Sequence, residues 1–428
     1  MPSSKMQWLK LSTALMVFGV GINYEEALTF FDFKGWYIGW FLSIVLLLGR
    51  FRLTKNMLFI ATAVMFPTVF ALLMGNYSDS NKGLFVFVLF TFMMIYARAL
   101  VRALGQEAIV RIYAKVGVLF SVLIWINELL YVISPAISKS VFGYTEAVGM
   151  MTRGQGIFLE PSEAALYLTP ALAYFFFKRD WHYSLLVFSA MLMTFSSLTY
   201  IAILLCFLLF SLNRKLNFLN FAALNLTIAI VAVAAVATPQ IIERFSMLAG
   251  VTGNTSIDFQ NYNASVASVI MNAVVAKDSL LGSNFIGIGF GNFLYGFNTY
   301  AASYFPPGYS GEGLFWNRET GGSLLIRVTA ELGVIGIAVV FYLLYSLGKS
   351  YASVRQRNRT AHAITAEMRA YIVTAIVMFV ISLLRKDSVT NVHLFIFVMG
   401  ALMNRVDVSR YGKRGAGYRG LLGSAASK

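Results

Sequence analysis

Apolar residues fall along this chain in long unbroken runs separated by short polar stretches. Twelve runs stand out, near 8–24, 36–49, 57–74, 84–100, 110–134, 162–177, 183–196, 197–212, 217–237, 323–347, 369–384 and 389–404. None alternates with a period of two, so the pattern predicts helices rather than a β-barrel. Runs near 20 residues are long enough to cross a hydrocarbon core. The expected architecture is an all-α polytopic membrane protein with about twelve transmembrane helices. The stretch 183–212 reads as one long span or as two short ones broken at Phe195-Ser196-Ser197.

Composition agrees with the pattern. Of 428 residues, 58% are hydrophobic and 12% charged, with a mean hydropathy of +0.70. Soluble domains carry about 25% charged residues, so a water-soluble enzyme, a disordered chain and a nucleic-acid-binding chain are excluded. The net charge of +15 changes the picture through its distribution. With the N-terminus placed inside, every inner loop is basic: Arg50, Arg52 and Lys55; Arg98, Arg102 and Arg111; Lys178 and Arg179; Arg214 and Lys215; Lys349 to Arg359; and the tail from Arg405. Most acidic residues fall on the other side. This is the positive-inside bias, with some attraction to anionic lipid heads. It favours the split at 195–197, because a single span there places Arg214 and Lys215 outside.

The chain divides into a bundle over 1–237 with an outer segment at 135–161, a large outer loop at 238–322, further spans over 323–404, and a basic tail at 405–428. The Gly- and Ser-rich tail is expected to be disordered. Residues 1–24 lack a small-residue cleavage site, so the first span reads as an uncleaved signal anchor. Cys206 is the single cysteine, and His182, His362 and His393 are scattered, so neither a disulfide nor a metal site is expected. No P-loop is present. The expected cofactor set is empty.

Candidate chemistry collects in the two outer segments. The first ends Arg153-Gly-Gln-Gly-Ile-Phe-Leu-Glu160-Pro161-Ser162-Glu163. Pro161, Ser162 and Glu163 suit the start of a helix; helix capping alone accounts less well for an arginine and two carboxylates meeting at the membrane boundary. In the second, residues 262–276 carry Val266, Val269, Ile270, Ala273 and Val274 at amphipathic spacing, a helix lying on the membrane or packing on the bundle. Gly287-Ile-Gly-Phe-Gly-Asn-Phe293 follows. It is not a dinucleotide fingerprint, since its third glycine comes one residue early. Its glycines permit tight turns and close approach to a ligand or a helix. The loop closes at Trp316-Asn-Arg318-Glu319, and the next run holds Arg327 and Glu331, which share a helix face and can pair. A pair satisfying itself and a polar cavity opening outward are both compatible with this spacing; the cavity is the preferred reading.

Arg153, Arg244, Arg318 and Arg327 all lie on the outer side. Arginine binds phosphate bidentately and keeps its charge, so their convergence points to a lipid-linked phosphate or pyrophosphate. Glu160, Glu163, Glu319 and Glu331 are candidates for general-base work.

The segments RGQGIFLEPSEAALYL (153–168), GIGFGNF (287–293) and RVTAELGVIG (327–336), with the large outer loop between the ninth and tenth runs, resemble the bacterial O-antigen polymerase and ligase superfamily, the Wzy and WaaL proteins. The resemblance implies a metal-independent, GT-C-like glycosyltransferase on the periplasmic face of the inner membrane, with both termini cytoplasmic. Polymerases of this kind join undecaprenyl-pyrophosphate-linked repeat units into O-antigen or exopolysaccharide; ligases transfer the finished glycan to lipid A–core. The ligases' His-Asn pair, about eleven residues before the glycine that Gly333 matches, is replaced here by Gly322 and Ser323, which favours a polymerase. The Arg-x10-Gly pattern of some polymerases is absent at Arg153, Arg244 and Arg318.

Under the resemblance, Glu160 is the base or sugar-positioning carboxylate, with Arg153 and Arg318 beside it in the catalytic set. Arg244, Arg318 and Arg327 hold pyrophosphate. Glu163, Glu319, Tyr300 and Trp316 are candidate sugar contacts, against which membrane-interface anchoring weighs equally for the aromatics. The implied partners are the lipid-linked oligosaccharide, membrane lipids, and a flippase and chain-length regulator of the same pathway. A flippase or other transporter is the rival class.

Overall fold

The computed structural model describes residues 3–19, 36–74, 80–142, 147–148, 151–152, 156, 158, 161–212, 229, 264–304, 317–359, 365–385 and 391–403. The apolar runs within them are helical. In chain order the helices are α1 (Ser3–Phe18), α2 (Trp36–Leu47), α3 (Lys55–Leu73), α4 (Ser80–Leu104), α5 (Gln106–Ile133), α6 (Pro135–Phe142), α7 (Pro161–Lys178), α8 (Trp181–Met193), α9 (Ser197–Leu212), α10 (Ala264–Gly282), α11 (Phe293–Tyr300), α12 (Leu324–Arg359), α13 (Ala366–Arg385) and α14 (Val392–Met403). A short antiparallel pairing joins Ala147–Val148 to Met151–Thr152. The predicted run at 217–237 lies almost wholly outside the described residues.

Among the described residues, four helical stretches are long and apolar enough to cross a membrane: Gly83–Leu104, Gln106–Ile133, Leu324–Gln356 and Ala366–Leu384. Shorter apolar helices accompany them, among them α8 and α9, separated at Thr194–Ser196 by a turn in which Phe195 takes a positive φ of 45°. Large apolar side chains such as Phe41, Phe59, Leu73, Phe85 and Phe341 point outward and exposed, the surface of a membrane-embedded protein.

α7 is the hub. It packs on α5, α8, α9 and α13 and is buried along most of its length. Its alanines permit this. Gly117 of α5 lies against Ala171 so closely that a Cβ at position 117 would stand 2.5 Å from the Ala171 methyl, the small-residue contact common between membrane helices.

Polar contacts mark two ends of the bundle. At one, Glu367 at the start of α13 pairs with Lys178 at the end of α7 (2.7 Å) and with Arg111 of α5 (3.4 Å). Thr365 donates to Glu107 (2.6 Å) and Arg98 to Thr54 (2.7 Å), while Tyr351 of α12 donates to the Leu209 carbonyl of α9. These residues belong to the basic loops, so the basic loops share one end. At the other end Ser323 donates to the Leu383 carbonyl (2.6 Å).

The outer-loop helices sit at this second end. α10 and α11 pack against the first turns of α12, forming a small core of Ile270, Met271, Val275, Phe293, Phe297 and Ala330. α10 therefore packs on the bundle, and its buried face shares Ile270 with the predicted one, with Val274 partly packed, but is turned from it elsewhere. Ala267, Met271, Val275 and Ser279 face inward beside Ser268, Asn272 and Ala276, whereas Ala273 is exposed and Val269 only half-buried. The inward face is partly polar, which hid it from a hydrophobicity pattern.

Candidate functional site

α12 is not continuous. Gly333 has φ 57° and ψ −143°, and the helix breaks there into two. A break at this point frees the carbonyls of the preceding turn and the amide that follows. The glycine loop takes them up. The Ile288 amide donates to the Ala330 carbonyl (3.0 Å), the Gly289 amide to the Glu331 carbonyl (2.9 Å), and the Val334 amide to the Phe285 carbonyl (3.0 Å). In an unbroken helix Val334 would have bonded Ala330 itself. Gly287, Gly289 and Gly291 all have positive φ. A Cβ at Gly333 would collide with the Phe285 carbonyl oxygen, and one at Gly287 with the Glu331 carbonyl. The segments 287–293 and 327–336, about forty residues apart, are thus two halves of one backbone structure.

Arg327 and Glu331 lie in the short first half of α12. Arg327 is 7% exposed and Glu331 fully buried. The Arg327 Nε donates to Glu331 Oε1 at 3.0 Å, and the Phe293 amide donates to the same oxygen at 3.2 Å. Glu331 Oε2 is buried without a hydrogen-bond partner. The glycine loop's close approach is therefore to a helix and to its carboxylate. A buried pair of this kind is retained because losing either partner strands a charge.

Beside the pair runs a groove lined by apolar residues. Val328 and Leu332, each next in sequence to a member of the pair, line it from α12. Phe290 lines it from the glycine loop, Ile60 from α3, Phe90 from α4 and Phe379 from α13.

Of the other sequence-derived candidates, Arg318 and Glu319 are exposed on the turn Asn317–Thr320. This turn leads into Gly321, which packs on the Phe293 ring, so the turn lies over the glycine loop. Tyr300 is half-buried at the end of α11, its phenol held above the ordinary range chiefly by burial. Glu163 is half-buried in the first turn of α7, which begins at Pro161 as expected. Arg153, Glu160, Arg244 and Trp316 lie outside the described residues. The structure brings Arg327, Glu331 and the glycine loop together, with Arg318 on the adjacent turn. The contacts of α7 run instead to α5, α8, α9 and α13. Among the described residues no cluster of His, Cys, Asp or Glu forms a metal site.

His393, which the sequence reading did not single out as a site residue, is buried. It lies in the bundle core against Tyr113 and Tyr167. Its partners come from α5 and α7, far away in sequence, and no local spacing signals them.

Compared with known proteins, the chain matches no protein-family model and no curated protein.

Proposed function

We propose that this protein is a membrane glycosyltransferase that polymerises undecaprenyl-pyrophosphate-linked oligosaccharide units, in a twelve-span bundle, on the face opposite its basic loops. One observation carries the reading: a buried arginine–carboxylate pair, roofed by a glycine loop, stands beside an apolar groove in a membrane-type bundle. A groove of this kind suits a long hydrocarbon chain, and arginine suits the phosphates that follow it. In this proposal Arg318 and Arg327, with Arg153 and Arg244, stabilise negative charge building on the pyrophosphate leaving group. Glu160 takes the proton of the acceptor hydroxyl. The anomeric carbon–pyrophosphate bond breaks as the new glycosidic bond forms, and the growing glycan passes to the next lipid-linked unit.

The test uses purified protein in nanodiscs with a synthetic lipid-pyrophosphate-linked repeat unit, without metal or nucleotide. A ladder of repeats is expected, shortened or lost in Arg318→Ala and Arg327→Ala at matched protein levels. Ladders persisting in both variants and in Arg153→Ala and Arg244→Ala would sink the arginine mechanism. No ladder from substrate that still binds would sink the polymerase.

The break at Gly333 favours a second reading, since discontinuous helices are characteristic of transporters. A flippase would move the lipid-linked unit between leaflets of a liposome and form no ladder.

A further inference from the structure

The last helix among the described residues begins inside the bundle. α14 has twelve residues, about 18 Å, whereas α13 beside it has twenty, about 30 Å. Its register is fixed by contacts. Gln106, the first residue of α5, donates to the Gly400 carbonyl at 2.5 Å, and Tyr371 of α13 donates to the Ile396 carbonyl. Counting back at 1.5 Å per residue, the start of α14 lies about 13 Å from the basic end, while Arg385 at the end of α13 lies about 27 Å from it. A helix N-terminus thus stands at mid-depth. Its first amides are occupied: His393 N–H and Leu394 N–H both donate to the Asn391 side-chain oxygen (3.0 and 3.1 Å).

His393 is 3% exposed. Its Nδ1 lies 2.6 Å from the Tyr113 hydroxyl, and its Nε2 is buried with no partner. The tautomer follows from counting. If Tyr113 donates to Nδ1, one polar group is orphaned, the Nε2–H. If Nδ1–H donates to the phenol oxygen, both the phenol O–H and Nε2 are orphaned, and each buried orphan is costly. The imidazole is therefore a neutral Nε2–H donor. Tyr167 stands edge-on to its ring at 5.2 Å, and Phe158, from the 153–168 segment, stacks on Tyr167 at 5.6 Å. The site thus lies against Phe158 and α7.

We propose that His393 Nε2–H is a binding point for an acceptor oxygen at mid-depth in the bundle. Two sources supply such an oxygen: a water in the resting protein, or an oxygen of the lipid-linked substrate. Non-helical chain ends at this depth are tolerated where they are buried in protein or line a wet cavity, and an unpaired N–H in such a place draws in an oxygen.

With only three histidines in the chain, the test is nitrogen-15 NMR of histidine-labelled, full-length protein in nanodiscs, with His393→Gln to assign the signal. The expected result is a protonated Nε2 whose proton exchanges with, or shows a cross-peak to, water. Loss of that cross-peak with a shifted nitrogen on adding a lipid-pyrophosphate-linked unit assigns the substrate as a second source; an unchanged signal assigns water. Protonation at Nδ1 overturns the proposal. So does an Nε2–H shifted upfield by the Tyr167 ring, without water contact and unmoved by the lipid. None of these outcomes depends on polymerase activity.

Discussion

At the residue scale the Arg327–Glu331 pair decides most. Both groups are buried, and Glu331 also holds the Phe293 amide. Arg327→Ala leaves a buried carboxylate without its cation, and a cost of about 3–5 kcal/mol is expected. The double variant Arg327→Met/Glu331→Gln removes both charges and is expected to recover a large part of that loss. A double-mutant cycle on thermal unfolding in detergent, with Arg327→Met and Glu331→Gln as the single variants, checks this; a loss in the double variant equal to the sum of the two single losses would show that the pair is not coupled. Tyr304 makes a second prediction at this scale. It donates to Asp278 Oδ2 at 2.7 Å, and that bond, with burial and the aspartate's charge, holds its phenol above the ordinary range. A raised folded value means a contribution fully present below the unfolded value of about 10 and lost as pH rises through the folded one. Tyr304→Phe is expected to flatten the stability of the α10–α11 unit between neutral pH and pH above 10, measured as protease resistance of that unit. The Arg327–Glu331 pairing itself was legible, because four residues apart on a helix is a local relation. That the Phe293 amide joins the pair was not, since it comes from a distant loop.

At the scale of elements, Gly333 and α10 are the tests. Gly333→Ala places a methyl in a positive-φ position against the Phe285 carbonyl. Backbone strain alone costs of order 1–3 kcal/mol, and the loop must also undock. Faster proteolysis within 283–304 is expected, whereas Gly348→Ala, which meets nothing, is expected to leave the rate unchanged. In α10, Met271→Ala is expected to destabilise by about 2–5 kcal/mol, while the exposed Ala273→Ser is near neutral. Reversed effects would restore the hydrophobicity-based face. The break in α12 was invisible in sequence because a glycine in a long apolar run reads as a tolerated helix residue. What distinguishes it is the loop of Phe285–Gly289 that takes over its hydrogen bonds. The face of α10 was misread for a related reason: Ser268, Asn272 and Ser279 point inward, and polarity alone assigns such residues to solvent.

At the scale of the whole molecule, the apolar runs foretold the helices well, since a chain in lipid must satisfy its backbone internally. The gathering of Arg98, Arg111 and Lys178 at one end followed from the same charge bias. That bias also predicts orientation. Cys206 is buried, so it gives little background to thiol labelling. Ser303→Cys, exposed on the outer-loop unit, is expected to react with an impermeant thiol reagent on intact cells. Lys349→Cys, in the basic-end half of α12, is expected to react only after permeabilisation. The opposite pattern would invert the topology. The coming together of 287–293 and 327–336 was not legible as contact, because nothing local records it.

The helix break also has a consequence for how the protein is made. The glycine loop leaves the ribosome about forty residues ahead of the strip of α12 that binds it, an interval of about 2–8 s at synthesis rates of about 5–20 residues per second. Through that interval the amides of Ile288 and Gly289 and the carbonyl of Phe285 have no partner from α12. Unsatisfied backbone cannot wait in hydrocarbon, so the loop must wait in water until α12 enters the membrane and its broken turn arrives to receive it. Docking is then the last local step of assembly, and a chain stalled before residue 334 would display this loop undocked at the membrane surface.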